Sequence, residues 1–219
     1  MSRIFTLGLL TLVVPAAAED VPKEARDRGV AATVRIESAA DGTGGSGVMF
    51  AKSRGLAYVL TAAHVAPKGD RVEVRFAGSK AVKAEVIARS ADKDLAVLRF
   101  APPTSPTPTA PAPLAATGTA PDRVASVGWE EGVTPTARAE KLKGAVRLRR
   151  AASPGTVLSW EVAEPPAGGR SGGPLIDQAG RVVGLASGHD GTTGYYVHID
   201  EIHMFLRVNA LGWLIEDER

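Results

Sequence analysis

The chain reads as an all-β protein made of short antiparallel strands. Apolar runs of strand length recur between glycine and polar turns, and a proline-rich stretch divides them into two series. No internal repeat suggests a solenoid or propeller. The first series places strands at Ala32–Glu37, Ser46–Phe50, Ala57–Thr61, Arg71–Phe76, Val82–Ala88 and Leu95–Phe100. Strands at this close spacing suit a small antiparallel barrel. The second series falls near Val124–Gly128, Ala137–Lys143, Ala145–Arg149, Val157–Val162, Pro174–Asp177, Val182–Ser187 and Gly194–Ile199. Strand counting alone leaves a sandwich open for it.

Between the series, Pro102 to Pro113 alternates proline with small residues. Such a run cannot join a ladder and prefers an extended, semi-rigid form, so residues 101–121 read as an inter-domain connector. The first unit then covers residues 19–100 and the second residues 122–219. Glu19 to Gly29 is charged and reads as a short helix or arm. Asp200 is placed to cap a closing helix through Val208, with Ile202, Phe205 and Leu206 at helical spacing.

At the other end, Met1-Ser2-Arg3 is followed by an apolar run from Ile4 to Val14 and by Ala16-Ala17-Ala18. This is the layout of a secretory signal peptide over residues 1–18, cleaved between Ala18 and Glu19. The run is too short to span a bilayer of about 30 Å, and no later segment is apolar enough to do so. The expectation is export, to a periplasm or outside the cell. There is no cysteine, so stability rests on core burial, and thiolate catalysis and cysteine zinc sites are excluded. The net charge of +2, from 26 basic and 24 acidic residues, supplies no strong draw toward nucleic acid. Arg147-Leu148-Arg149-Arg150 alternates like a solvated strand face. No metal-ligand or dinucleotide motif is present, and no cofactor is expected.

Three fragments carry chemistry. A serine hydroxyl is a poor nucleophile until an imidazole takes its proton and a carboxylate fixes that imidazole's tautomer. Thr61-Ala62-Ala63-His64-Val65 sets a histidine at a strand end, Asp94-Leu95-Ala96-Val97-Leu98 opens a buried strand with a carboxylate, and Gly169-Arg170-Ser171-Gly172-Gly173-Pro174 surrounds a serine with glycines. A carboxylate beside an apolar strand needs a partner, and an imidazole N–H would serve. Asp92 competes for that role. Glycines at positive φ allow backbone N–H groups to converge on one point. Because Pro174-Leu175-Ile176 leads into a strand and the histidine comes first, the motif differs from the nucleophile elbow of α/β-hydrolases.

At these residues, and at Gly45-Ser46-Gly47-Val48 and Gly180-Arg181-Val182-Val183-Gly184-Leu185, the sequence resembles the trypsin-like, chymotrypsin-fold serine peptidases. Their cysteine-free bacterial branch, which includes the HtrA-type proteases, is the nearest in character. The resemblance runs from about Val30 to Leu206. It implies two six-stranded antiparallel β-barrels with a short C-terminal helix and a site between them. It implies a polypeptide substrate, His64, Asp94 and Ser171 as the triad, and the amides of Gly169 and Ser171 as oxyanion donors. Asp92 then becomes a turn residue. The pocket wall falls on Ala186, Ser187 and Gly188, with its base near Pro165. None of these is charged, so the counter-ion for lysine or arginine is missing, and His189 reads as an exposed loop residue.

The chain also departs from the animal-type enzymes. Arg170 stands where they carry an aspartate that pairs with a newly cut α-amino group. Arginine cannot make that pair, so activation by N-terminal cleavage is not expected. After the peptidase-like region only Asn209–Arg219 remains, too short for an appended peptide-binding domain. The expected activity is that of an exported serine endopeptidase. The rivals are a protease-like peptide-binding scaffold with little turnover and a hydrolase of small esters.

Overall fold

The computed structural model describes residues 20–38, 44–66, 71–103, 110–130, 134–150 and 155–216. The signal-peptide reading and the middle of the proline-rich run lie outside the described residues.

Helix α1 (Lys23–Ala32) leads into β1 (Thr33–Ser38), β2 (Gly44–Ser53), β3 (Leu56–Thr61), β4 (Arg71–Arg75), β5 (Val82–Ser90) and β6 (Leu95–Phe100). These six strands close a barrel in the order β1-β2-β3-β6-β5-β4, entirely antiparallel. Side chains of a strand alternate between faces, and here both faces of β2, β3 and β6 are covered. Met49, Val59, Ala96 and Leu98 fill the barrel with Val34, Ile36 and Val74. Their neighbours Val48, Phe50, Leu60, Leu95 and Val97 point the other way, into a second core shared with Leu175, Val183, Leu185 and Phe205. That double burial is why these strands read as nearly unbroken apolar runs.

The second half comprises β7 (Val124–Trp129), β8 (Pro135–Glu140), β9 (Leu142–Arg149), β10 (Thr156–Val162), β11 (Pro174–Asp177), β12 (Val182–His189) and β13 (Gly194–His198). Here the expectation of a second six-stranded closed barrel needs correction. The sheet has seven strands in the order β8-β7-β11-β12-β13-β10-β9, and no ladder closes it. The physical reason lies at Lys141. There the chain passes from β8 to β9, so the two edges are consecutive in sequence and are joined covalently rather than by hydrogen bonds. Ala163 N donates to the Lys141 carbonyl at 3.0 Å, and the β9–β10 register shifts between Glu161 and Val162. One edge of the long strand therefore serves β7 and its continuation serves β10.

Helix α2 (Ile199–Val208) and the short α3 (Trp213–Glu216) follow. The cap of α2 is His198 rather than Asp200: its Nδ1 accepts from the Asp200 backbone N at 3.1 Å. Asp200 sits inside the first turn, where its charge favours the helix N-terminus. The end of the proline-rich stretch is not free. Ala112 N donates to the Met49 carbonyl of the barrel at 2.9 Å. Pro113 and Ala115 bond both sides of Val182 in the sheet, at 2.8 and 2.9 Å. Among the described residues, no helix is long and apolar enough to cross a membrane.

Candidate active site

Asp94 ends a four-residue turn and immediately precedes β6, with φ at +54°. Non-glycine residues rarely adopt this left-handed conformation, although aspartate tolerates it better than most. The turn aims the carboxylate at the segment after β3. Both carboxylate oxygens lie 2.9 Å from His64 Nδ1, and Oδ1 also accepts from the His64 backbone N at 3.0 Å. With Nδ1–H donating to the carboxylate, the ring's other nitrogen is left free to accept a proton. The His64 side chain is 48% exposed and that of Asp94 only 4%, so the imidazole is open to solvent while its carboxylate is sealed behind it.

Two further groups complete the surroundings of Asp94. Ser187 Oγ donates to Oδ2 at 2.6 Å. Arg150, at the end of β9, donates from Nη2 to Oδ2 at 2.8 Å and from Nη1 to Ser187 Oγ at 2.6 Å. Burial pushes the Asp94 carboxyl up. The hydrogen bond and charge of His64, the Ser187 hydroxyl and the Arg150 guanidinium together outweigh it and hold the carboxyl below its ordinary value. A carboxyl depressed on folding contributes stability above its unfolded value and loses it as pH falls through the folded one. Arg150→Gln removes one of the depressing groups. The acid unfolding midpoint, followed by circular dichroism, should therefore move to higher pH. An unmoved midpoint would mean that Arg150 bears no weight on Asp94.

Ser171 lies in the loop 167–173 between β10 and β11. Tight turns close from Arg170 N to the Ala167 carbonyl at 3.1 Å and from Gly173 N to the Arg170 carbonyl at 2.9 Å. Gly169 and Gly172 have φ of +85° and +80°, which side chains with a Cβ resist. A Cβ on Gly172 would collide with Thr61 Oγ1 and the Ser46 carbonyl, and would lie 2.8 Å from Ala62 N. The serine loop is thus packed directly against the segment that carries His64. Among the described residues, neither the Gly169 nor the Ser171 amide donates to a protein acceptor. The Ser171 hydroxyl and the His64 ring are not hydrogen-bonded to each other. Such contacts tighten when substrate binds.

Ser46, fully buried on β2, ties this loop to the barrel. Its N donates to the Ser171 carbonyl at 2.8 Å, its Oγ donates to the Gly169 carbonyl at 2.8 Å and accepts from Trp129 N at 2.9 Å. Its own carbonyl accepts from Thr61 Oγ1 at 2.7 Å.

The other sequence expectations fall as follows. Asp92 is exposed in the turn before Asp94. Ala186 is buried, and its backbone is bonded to Gly172 and Gly173 at 2.8 and 2.9 Å. Ser187 and Gly188 line a cavity of about 330 Å³ together with Arg150, Val157 and Tyr195. Pro165 offers its carbonyl to Arg138 Nη2 at 3.2 Å. His189 is exposed and accepts from Gly191 N at 3.0 Å. His203 bonds the Ala115 carbonyl at 2.8 Å and His198 stacks on Trp160, so both have structural roles. Two larger cavities lie away from His64, Asp94 and Ser171. Sequence reasoning missed Arg150, hidden in a stretch that alternates like a solvated face. It also gave Ser46 no role, although the glycines flanking it signalled a close backbone approach. Among the described residues, no cluster of His, Cys, Asp and Glu could hold a metal ion.

The sequence matches the trypsin-like peptidase domain over residues 45–185, which includes all three residues of the predicted triad. The serine protease Do-like HtrA of Lactobacillus helveticus is 32% identical over 157 residues, 68% of this chain and 38% of that protein. The chloroplastic protease Do-like 1 of Arabidopsis thaliana is 27% identical over 168 residues, 72% of this chain and 37% of that protein. The chain thus spans less than two fifths of the curated relatives it matches. Among solved structures, the inactive form of the Rv3671c protease superposes with a TM-score of 0.72 at 28% identity. That match covers 89% of this chain and 98% of the other. The active form of the M. tuberculosis protein gives 0.69 at 26% identity, covering 94% and 93%. With one closed barrel, one seven-stranded open sheet and a matching family domain, the chain belongs to the trypsin-like peptidase domain family.

Proposed function

We propose that this protein is an exported serine endopeptidase that hydrolyses peptide bonds through an acyl-enzyme, with His64, Asp94 and Ser171 as its triad. The observation that carries the reading is the grip of Asp94 on the Nδ1 and backbone N of His64, which leaves Nε2 as the nitrogen free of the carboxylate. Ser171 Oγ attacks the scissile carbonyl carbon while the free nitrogen of His64 takes its proton. The unpartnered amides of Gly169 and Ser171 receive the oxyanion. His64 then passes the proton to the leaving amine as the C–N bond breaks. Water, deprotonated by His64, attacks the resulting ester, and His64 returns that proton to Ser171 Oγ as the acyl C–O bond breaks, freeing the serine. Asp94, sealed from solvent, stabilises the imidazolium at each stage and stays ionised.

The β11 ladder ends at Pro174–Leu185, and Ser187–His189 continue β12 beyond it. An extended substrate would add a strand there by main-chain pairing. The pocket reading places Ala186, Ser187 and Gly188 at its wall. Without an acidic residue there, cleavage should follow small or medium aliphatic side chains. Selectivity should be broad, because a methylene-scale difference in fit is worth only about 1–3 kcal/mol.

Mass spectrometry of the protein treated with an active-site phosphonate, and cleavage mapping in a peptide library, test both points. A single adduct on Ser171 and cuts after aliphatic residues are expected. The unbonded Ser171–His64 pair is the observation that favours the rival, a peptide-binding scaffold. Peptide binding with neither adduct nor cleavage would establish that rival. Strict cleavage after Lys or Arg would overturn the pocket assignment.

A further inference from the structure

Arg170 is 1% exposed and among the largest fully buried side chains of the described chain. Taking a guanidinium out of water is costly unless its donors find acceptors. Nη1 donates to Glu130 Oε1 at 2.8 Å and to Thr136 Oγ1 at 3.0 Å. Nη2 donates to the Ser126 carbonyl at 2.7 Å, to Ser126 Oγ at 3.0 Å and to the Thr136 carbonyl at 3.2 Å. Only Nε lacks a partner. Every acceptor belongs to β7, to β8 or to Glu130, which directly follows β7. The side chain therefore runs from the serine loop into the second sheet and is held there across two strands.

The residues on either side of it are Gly169 and Ser171, whose amides carry no protein acceptor. Fixing the Arg170 side chain fixes the backbone between those two amides. We infer that Arg170 is a positioning residue whose buried guanidinium, anchored on Ser126, Thr136 and Glu130, holds the amides of Gly169 and Ser171 turned toward one point. The inference rests on the triad and oxyanion reading above. It also gives the loop an internal anchor in place of a pairing with a newly cut amine. Among the described residues Glu130 is the only ionised partner, and its side chain is 39% exposed, so it balances the buried charge from the rim of the sheet.

The test uses the full chain with Arg170→Met, Arg170→Lys and Glu130→Gln. Three quantities are measured: kcat and KM on a peptide substrate, the rate of phosphonate labelling at Ser171, and hydrogen exchange over residues 168–173. Arg170→Met should lower kcat and the labelling rate by about 10²-fold or more, comparable to the loss of one oxyanion donor. KM should stay within a few-fold, because the donors act on charge present only in the transition state. Arg170→Lys, which keeps the charge but not the fork, should recover part of the loss. Glu130→Gln should lower kcat by about tenfold, scaled to the partial loss of one anchor among three, with KM unchanged.

A folded Arg170→Met protein with wild-type kcat and labelling overturns the inference, as does a loss confined to KM. If Arg170→Met does not fold, Glu130→Gln decides, and wild-type kcat there overturns it. If the wild type itself neither labels nor cleaves, the endopeptidase reading has failed. Loop exchange then still decides the anchor: faster exchange in Arg170→Met upholds it, and unchanged exchange removes it.

Discussion

Ser171→Ala and His64→Ala are each expected to remove nearly all peptide turnover, by a factor of about 10⁴–10⁶ in kcat, while the fold stands. The structure supports the second half of that expectation. The Ser171 hydroxyl makes no bond to the His64 ring that the fold would miss, and the His64 side chain is half exposed. Asp94 would lose the imidazole but keep the His64 backbone N, Ser187 and Arg150. Thermal unfolding by circular dichroism should accordingly shift little. Because base and nucleophile act as a unit, the double mutant should be little slower than either single one. Losses that multiply would show that the two residues do not cooperate, and the triad would fail.

The second large effect belongs to Gly169. Gly169→Val should lower kcat by about 10²–10³-fold, the loss seen when one oxyanion donor goes. The sequence suggests little change in global stability, since the loop borders a surface cleft. The structure alters that expectation. At φ +85° a Cβ on Gly169 would drive into the Trp129 carbonyl oxygen, a backbone atom that cannot swing aside. Melting temperature should therefore fall together with kcat. Gly168→Ala is the control, because a Cβ there meets nothing within 4 Å. It should leave both quantities near wild type. Equal behaviour of the two glycine variants would remove the loop from the oxyanion role.

Much of this architecture was legible from local patterns. Twelve of the strand readings overlap observed strands closely, because alternation and apolar runs report burial directly; Ala137–Lys143 instead straddles the join of β8 and β9. The closed second barrel was not legible, since whether two edges meet depends on how the strand bends at Lys141, which no periodicity encodes. The α2 cap was placed two residues late because aspartate is a common cap and histidine is not, whereas the chain uses the His198 ring. At the site, the histidine, aspartate and serine stood out through their flanking residues. Arg150 did not, because it meets Asp94 across 56 residues of chain and its neighbours resemble any solvated strand. Arg170 could be flagged only as a departure. Its anchors on β7 and β8 exist solely in three dimensions.

Ser46 belongs to the barrel, whereas Ser171, Gly169 and Trp129, which it binds, belong to the second half. Its bonds to these three residues exist only while the two halves are docked. A chain whose barrel and sheet each kept their own ladders, but which had parted along the seam, would lose the tether of the serine loop at once. Competence would then be a property of the joint rather than of either half. Such partial opening lies below global unfolding in free energy. Mild denaturant or heat should therefore silence the protein while most of its strand signal persists, and restoring the seam alone would bring it back.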